Sequence, residues 1–181
     1  MKFTQTKIKG VYVINLEPRQ DARGFFARVF CKHELRDQGL EFDIVQVNKS
    51  KSVNTGTIRG LHYQNSPYSE DKIVQCIQGG IYDVALDLRH DSPTYGQWVS
   101  EMLTQENNTM LLVPKSCAHG FQSLKPNSVV QYFVSEYYTA TAESGIRWND
   151  PAFGISWPIA KATLSDKDAA WPLTAETQKR V

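Results

Sequence analysis

The sequence predicts an all-β fold, a sandwich or a small barrel of short strands. Three observations carry this. Runs rich in Val, Ile, Tyr and Phe recur along the chain with turn-forming residues between them. Helical periodicity is weak and confined to a few short segments. Between two of the β-type runs, Gly79-Gly80 reads as the tight turn of a hairpin, since glycine takes the positive φ that primed turns need.

In chain order, strands are expected at Val11–Leu16, Gly24–Phe30, Phe42–Asn48, Thr57–Gln64, Asp71–Gln78, Ile81–Leu88, Gln97–Leu103, Thr109–Pro114 and Ser128–Tyr138. In the last of these, alternation puts Val130, Tyr132 and Val134 on one face and Gln131, Phe133 and Ser135 on the other. Tyr132 therefore sits among apolar neighbours, as a barrel-interior residue does. In IYDVALDL, Asp83 and Asp87 oppose Val84, Leu86 and Leu88. In TIRGLHYQ, strict alternation separates Arg59 from His62, and both reach one pocket only if Gly60 introduces a bulge. Cys31–Gln38 offers two helical turns ended by Gly39, and Ser165 is an N-cap for LSDKDAAW. The tail TAETQKRV is either helical or frayed. Pro151–Pro172 is expected to form an arm packed on the barrel, making residues 1–181 one domain with a C-terminal arm over 151–181.

Composition narrows the function. A net charge of +1 gives no electrostatic case for nucleic acid or a membrane surface. No secretory h-region opens the chain, and no apolar run approaches the ~18 residues of a membrane span. Cys31, Cys76 and Cys117 lie far apart, which suggests free thiols and a cytoplasmic setting.

Of four histidines, His33 and His90 fall in polar surroundings and read as solvated. His62 and His119 sit beside glycines in β-rich stretches, RGLHYQ and CAHGF. Each is a hydrogen-bonded core residue, a metal ligand or a base. The metal reading is short of ligands, because Gln64 stands where a second histidine would be and Glu70 with His119 completes only a three-ligand set. Lys72, Arg59 and Arg23 are surface charges or, in a pocket, groups that hold a phosphate or an oxyanion. No glycine-rich phosphate loop occurs, and Cys117 near His119 makes a weak case for a thiol nucleophile.

Together the ordered motifs DARGFF, RGLHYQ, DKIVQCIQGGIYDVALDLR, SPTYGQW, VPKSCAHGF, YFVSEYY, WNDPAFGISWP and LSDKD closely resemble the dTDP-4-dehydrorhamnose 3,5-epimerase family, over roughly Val11 to Asp168. The resemblance implies a cupin-like jelly-roll barrel with a few short peripheral helices, a homodimer, no metal and no organic cofactor. It implies a nucleotide-diphosphate sugar as substrate, inverted at C3, C5 or both through an enolate. His62 then matches the general base, Asp168 the carboxylate that orients it, Tyr132 the acid and Lys72 the group near the C4 oxygen. Arg59, His119 and Asn48 match further substrate contacts, Arg23 a contact to the diphosphate, and Phe26 and Tyr138 base-packing aromatics.

The chain departs from the family where Arg28, Val47 and Phe133 replace commoner Glu, Asp and Lys. If Arg28 faces the nucleobase, a donor has replaced an acceptor, which opens a CDP-linked substrate beside the dTDP one. A cupin 3,4-ketoisomerase, a non-enzymatic sugar-binding cupin and a metal cupin dioxygenase are the competing readings.

Overall fold

The computed structural model describes residues 1–174, so the end of the expected arm and all but the first residue of the TAETQKRV tail lie outside the described residues. Two antiparallel sheets face each other. The first contains β1 (Lys2–Gln5), β2 (Tyr12–Asn15), β5 (Gln46–Ser52), β7 (Lys72–Gln78), β10 (Thr109–Val113) and β12 (Ser128–Val134), in the order β1-β2-β10-β7-β12-β5. The second contains β6 (Ile58–Gln64), β8 (Gly80–Asp87), β9 (Trp98–Thr104), β11 (Cys117–Ser123) and β13 (Glu143–Gly145), in the order β13-β6-β11-β8-β9. A separate hairpin pairs β3 (Arg19–Asp21) with β4 (Gly24–Phe26). The helices are short: α1 (Lys32–Arg36), followed by Gly39 at φ +72°, and α2 (Asp166–Ala169). Among the described residues no helix is long and apolar enough to cross a membrane.

The central strands β7, β8, β10 and β11 are covered on both faces, whereas the edge strand β5 is exposed at alternate positions. Between the sheets, Val74, Cys76 and Val130 meet Ile81, Ala85 and Phe121. Outside the first sheet, Ile14, Ile73, Met110 and Phe133 pack under Leu35 and Phe42. Outside the second, Leu61, Val84, Leu86 and Ala118 are covered by Phe153, Ile155 and Trp157 of the expected arm. The Gln122 side chain fastens that arm, donating to the Ile159 carbonyl at 2.8 Å and accepting from its amide at 2.9 Å.

The expected faces of β8 and β12 are observed: Tyr132 packs toward the interior and Phe133 away from it. The Gly79-Gly80 hairpin is not. Strands β7 and β8 belong to different sheets, and the chain crosses from one to the other at Gly79, whose φ is +77°. A Cβ there would lie 2.6 Å from the Ser128 Oγ, so glycine is needed for the corner as it would be for a turn. Strand β5 also begins later than expected. Phe42 leaves the sheet for the cluster under α1, and the polar KSKS run pairs with β12 instead. The expected Gly24–Phe30 strand stops at Phe26, and the Ser128–Tyr138 strand stops at Val134.

Beside the interior, Asp87 is fully buried and accepts from the Arg89 amide and guanidinium, Ser92 Oγ and Thr94 Oγ1. Burial pushes its carboxyl up, but these donors outweigh burial and hold it well below the ordinary carboxylate range. A depressed folded-state value means its contribution is fully present above the unfolded carboxylate pKa of about 3.9 and is lost as pH falls through the folded value. Asp87→Asn is expected to lower stability at pH 7 by about 2–4 kcal/mol, as removal of a buried charge from its partners does. It should also flatten the fall in stability between about pH 5 and 2, read by denaturant melts at each pH.

Candidate active site

The site is built on an irregularity in β6. His119 of β11 lies opposite His62, but Phe121 lies opposite Arg59, so three residue steps on β6 match two on β11. The extra residue is a bulge, and it restores Arg59 to the interior face that His62 occupies. Gly60 makes this possible. Its φ is +114°, and a Cβ would lie 2.6 Å from the His119 carbonyl oxygen and 2.7 Å from the Gly120 Cα. The Arg59 guanidinium then donates to the Lys51 carbonyl at 2.9 Å and to Ser52 Oγ at 3.2 Å.

His62 Nε2 is 2.6 Å from Asp168 Oδ1. The carboxylate arrives on α2, whose N-cap Ser165 accepts the Asp168 amide at 3.1 Å. The arm reaches this point through a bridge between Thr163 and Thr57. Burial pushes the Asp168 carboxyl up, but hydrogen bonding from His62, Ser165 and the Gly60 backbone leaves it below the ordinary range. An ionised Asp168 fixes Nε2 as the protonated nitrogen and leaves Nδ1 to take up a proton. Trp171 presents its ring edge-on to His62, with centroids 6.3 Å apart, and lies so close over Gly145 that no Cβ fits there.

A cavity of about 330 Å³ opens between the sheets and is lined by His62, Lys72, Tyr132, Asn48, Tyr138 and Glu143, among others. Tyr132 is a cross-strand neighbour of Asn48, whose Oδ1 accepts from Gln46 Nε2 at 2.7 Å. Burial pushes the Tyr132 hydroxyl up, the Glu70 charge adds to this and Arg59 opposes it, so it is held protonated. Lys72 Nζ lies 2.8 Å from Glu70 Oε1, and both side chains are largely buried. Tyr138 donates to Glu143 Oε2 at 2.7 Å, and Lys167 Nζ reaches the same oxygen at 2.6 Å.

Thus His62, Asp168, Tyr132, Lys72, Asn48 and Tyr138 come together, whereas Arg59 and His119, set beside them by the strand register, do not themselves line the cavity. Arg23, Phe26 and Arg28 do not line this cavity. Arg23 pairs with Asp21 on the exposed hairpin, Phe26 is 69% exposed, and Arg28 binds Glu34 Oε1 at 2.7 Å beside a separate hollow. Among the described residues, a larger hollow of about 490 Å³ beyond β6 is lined by His90 and Tyr95, whose rings stack on each other, and by no carboxylate, lysine or arginine. Sequence reasoning gave no catalytic part to Glu70, Asp83 or Glu143. Alternation had already turned Asp83 away from the leucines, and Glu70 stands two residues before Lys72. The Glu143 strand, only three residues long, carried no signal. His62 and His119 are each bound to their own carboxylate through Nε2, and among the described residues no three His, Cys, Asp or Glu cluster as a metal site needs.

Gly60→Ala is expected to cost more than about 2 kcal/mol of stability, since both φ and the backbone contacts oppose a Cβ. It should also lower activity more than Gly39→Ala, a change at a glycine whose Cβ would meet nothing. Parallel melts and rate measurements on the two variants check this.

Over residues 5–176 the chain matches the family model for dTDP-4-dehydrorhamnose 3,5-epimerase. It is 42% identical over 177 residues to the dTDP-4-dehydrorhamnose 3,5-epimerase of Sinorhizobium fredii, covering 97% of this chain and 91% of that one. The crystal structure of the Bacillus anthracis enzyme of that name, with TDP and pyrophosphate bound, superposes with a TM-score of 0.93 at 44% identity, covering 95% and 98% of the two chains. A dTDP-6-deoxy-D-glucose-3,5-epimerase from Legionella pneumophila, in complex with dTDP-4-keto-L-rhamnose, gives a TM-score of 0.89 at 37% identity, covering 94% and 90%.

Proposed function

The chain belongs to the dTDP-4-dehydrorhamnose 3,5-epimerase family, and on that premise we propose that it inverts C3 and C5 of dTDP-4-dehydro-6-deoxyglucose to give dTDP-4-dehydrorhamnose. One observation carries the reading. His62, held by Asp168 of α2, stands on the second sheet and Tyr132 on the first, with one cavity between them. A sugar ring lying in that cavity meets a base on one face and an acid on the other, which is what inversion of a carbon centre requires.

The C4 ketone acidifies the hydrogens on C3 and C5. His62 Nδ1 takes one of them, the C–H electron pair moves into the ring, and negative charge collects on the C4 oxygen. Lys72 exchanges its Glu70 contact for that oxygen and stabilises the enolate, the largest single electrostatic contribution expected. The Tyr132 hydroxyl then delivers its proton to the opposite face. Each inversion leaves His62 with one proton more and Tyr132 with one fewer, so exchange with solvent resets the pair. Tyr138 and Asn48, on the cavity wall, are assigned to the nucleotide and sugar.

The dTDP assignment is favoured over CDP because the matched relatives carry dTDP-sugar names and Arg28 is already bound to Glu34. We also propose a homodimer. The β3–β4 hairpin exposes Phe25, Phe26 and Arg23 away from the chain's own cavity, and a second protomer is the route by which such groups reach a nucleotide. Light scattering that gave a monomer at working concentration would remove that part. The cytoplasmic assignment rests on the three free cysteines.

In D2O, the wild-type protein is expected to place deuterium at both C3 and C5 of the 4-keto sugar. No label at either carbon overturns the epimerase reading, and label at one carbon reduces it to a single-centre enzyme. His62→Ala should lower exchange about 10²–10⁴-fold, the usual contribution of a general base. Tyr132→Phe should keep exchange through His62 but lose inversion, which resolves the two roles in one NMR experiment.

A further inference from the structure

Gln64 ends β6 and is buried. It stands two residues after His62, on the same face of the strand, and lines the cavity with it. Its carboxamide is fully engaged. Oε1 accepts the Thr139 amide at 2.6 Å. Nε2 donates to the Tyr68 carbonyl at 2.9 Å and the Tyr137 carbonyl at 3.1 Å, and lies 3.4 Å from Glu70 Oε2. The carbonyls need the NH2 end of the group and the Thr139 amide needs its oxygen, so the partners fix its orientation. Two of them, the Tyr137 carbonyl and the Thr139 amide, belong to the peptide groups on either side of Tyr138, a residue of the cavity wall.

This stretch has left the sheet after Val134 and belongs to no strand. Tyr138 itself is 57% exposed, so packing does little to fix it. Its hydroxyl donates to Glu143 Oε2 at 2.7 Å, and Glu143 is the cross-strand partner of Gln64. One rung of the β6–β13 pair therefore holds Tyr138 by its backbone and by its hydroxyl. We propose that Gln64 is a positioning residue for the epimerisation: its carboxamide clamps the peptides flanking Tyr138 and so presets that side chain for the nucleotide sugar. The inference rests on the epimerase reading, which assigns Tyr138 to the substrate. A group ordered before the ligand arrives favours binding, because its freedom is lost on folding rather than on association. An amide suits the task because it sets an acceptor and a donor side by side, matching the N–H and C=O it must hold.

Gln64→Met keeps the length of the side chain and removes its amide hydrogen bonds. With the fold checked by thermal unfolding, this variant is expected to raise the Kd for dTDP and the KM for the 4-keto sugar nucleotide about 10–100-fold, the scale of a misplaced substrate contact, with kcat changed less. Tyr138→Ala should weaken both alike. Adding Gln64→Met to it should then cost little more, because Gln64 acts through Tyr138. Wild-type Kd and KM in a folded Gln64→Met, a loss confined to kcat, or losses that multiply in the double variant sink the proposal. A purely structural glutamine would lower the melting temperature alone. If Gln64→Met does not fold, hydrogen exchange in the wild-type protein decides. The Thr139 amide, outside any strand, is expected to exchange slowly because Gln64 Oε1 holds it, and rapid exchange overturns the clamp. A wild-type protein that binds no dTDP and takes up no deuterium into the sugar would instead overturn the epimerase reading and leave the exchange result standing.

Discussion

One hydrogen bond, between residues 106 positions apart, organises the molecule: His62 to Asp168 at 2.6 Å. A carboxylate brought this far into the protein costs several kcal/mol unless donors surround it. Much of the C-terminal part of the chain provides that setting. Phe153, Ile155 and Trp157 seat the arm on the second sheet, Gln122 fastens it, the Thr163 bridge turns it inward, and Ser165 caps the short helix that carries Asp168. The bulge at Gly60 meets it from the other side and offers a backbone amide to the same carboxylate. Fold and chemistry share this junction.

The cavity is a balanced arrangement of charge rather than a basic pocket. Lys72 faces Glu70, Lys167 faces Glu143, and Arg59 is spent on β5. In the free protein the cations are therefore held by internal partners. On the proposed mechanism an enolate would compete with Glu70 for Lys72, so stabilisation would be greatest where negative charge develops and smaller for the neutral ketone. Such differential stabilisation is what raises a rate rather than merely tightening binding.

Much of this was legible in the sequence because a strand turns every second side chain to the same face. Alternation alone put Tyr132 inside, separated Asp83 from Leu86, and required a bulge at Gly60 if Arg59 was to join His62; Ser165 as a cap followed from its hydroxyl and the acidic turn after it. What stayed hidden depends on long-range geometry. Gly79 looks the same at a hairpin and at a corner between sheets, since both need positive φ. Phe42 reads as a strand residue but is claimed by the cluster under α1. The partnership of Asp83 with His119 joins two strands whose adjacency no local pattern reveals. The motif resemblance supplied roles for Arg23, Phe26 and Arg28, but a single chain does not bring them to the cavity.

The corner at Gly79 bears on how the chain finds its structure. Had β7 and β8 closed a hairpin, a local nucleus would have been available. Instead β7 pairs with β10 and β12, and β8 with β9 and β11, so most partners are distant in sequence. Long loops must close before their pairings are rewarded, which places such sandwiches among slow folders, in milliseconds to seconds. The His62–Asp168 contact, depending on the arm, is then among the last to form, and an incompletely folded chain carries His62 without its carboxylate partner.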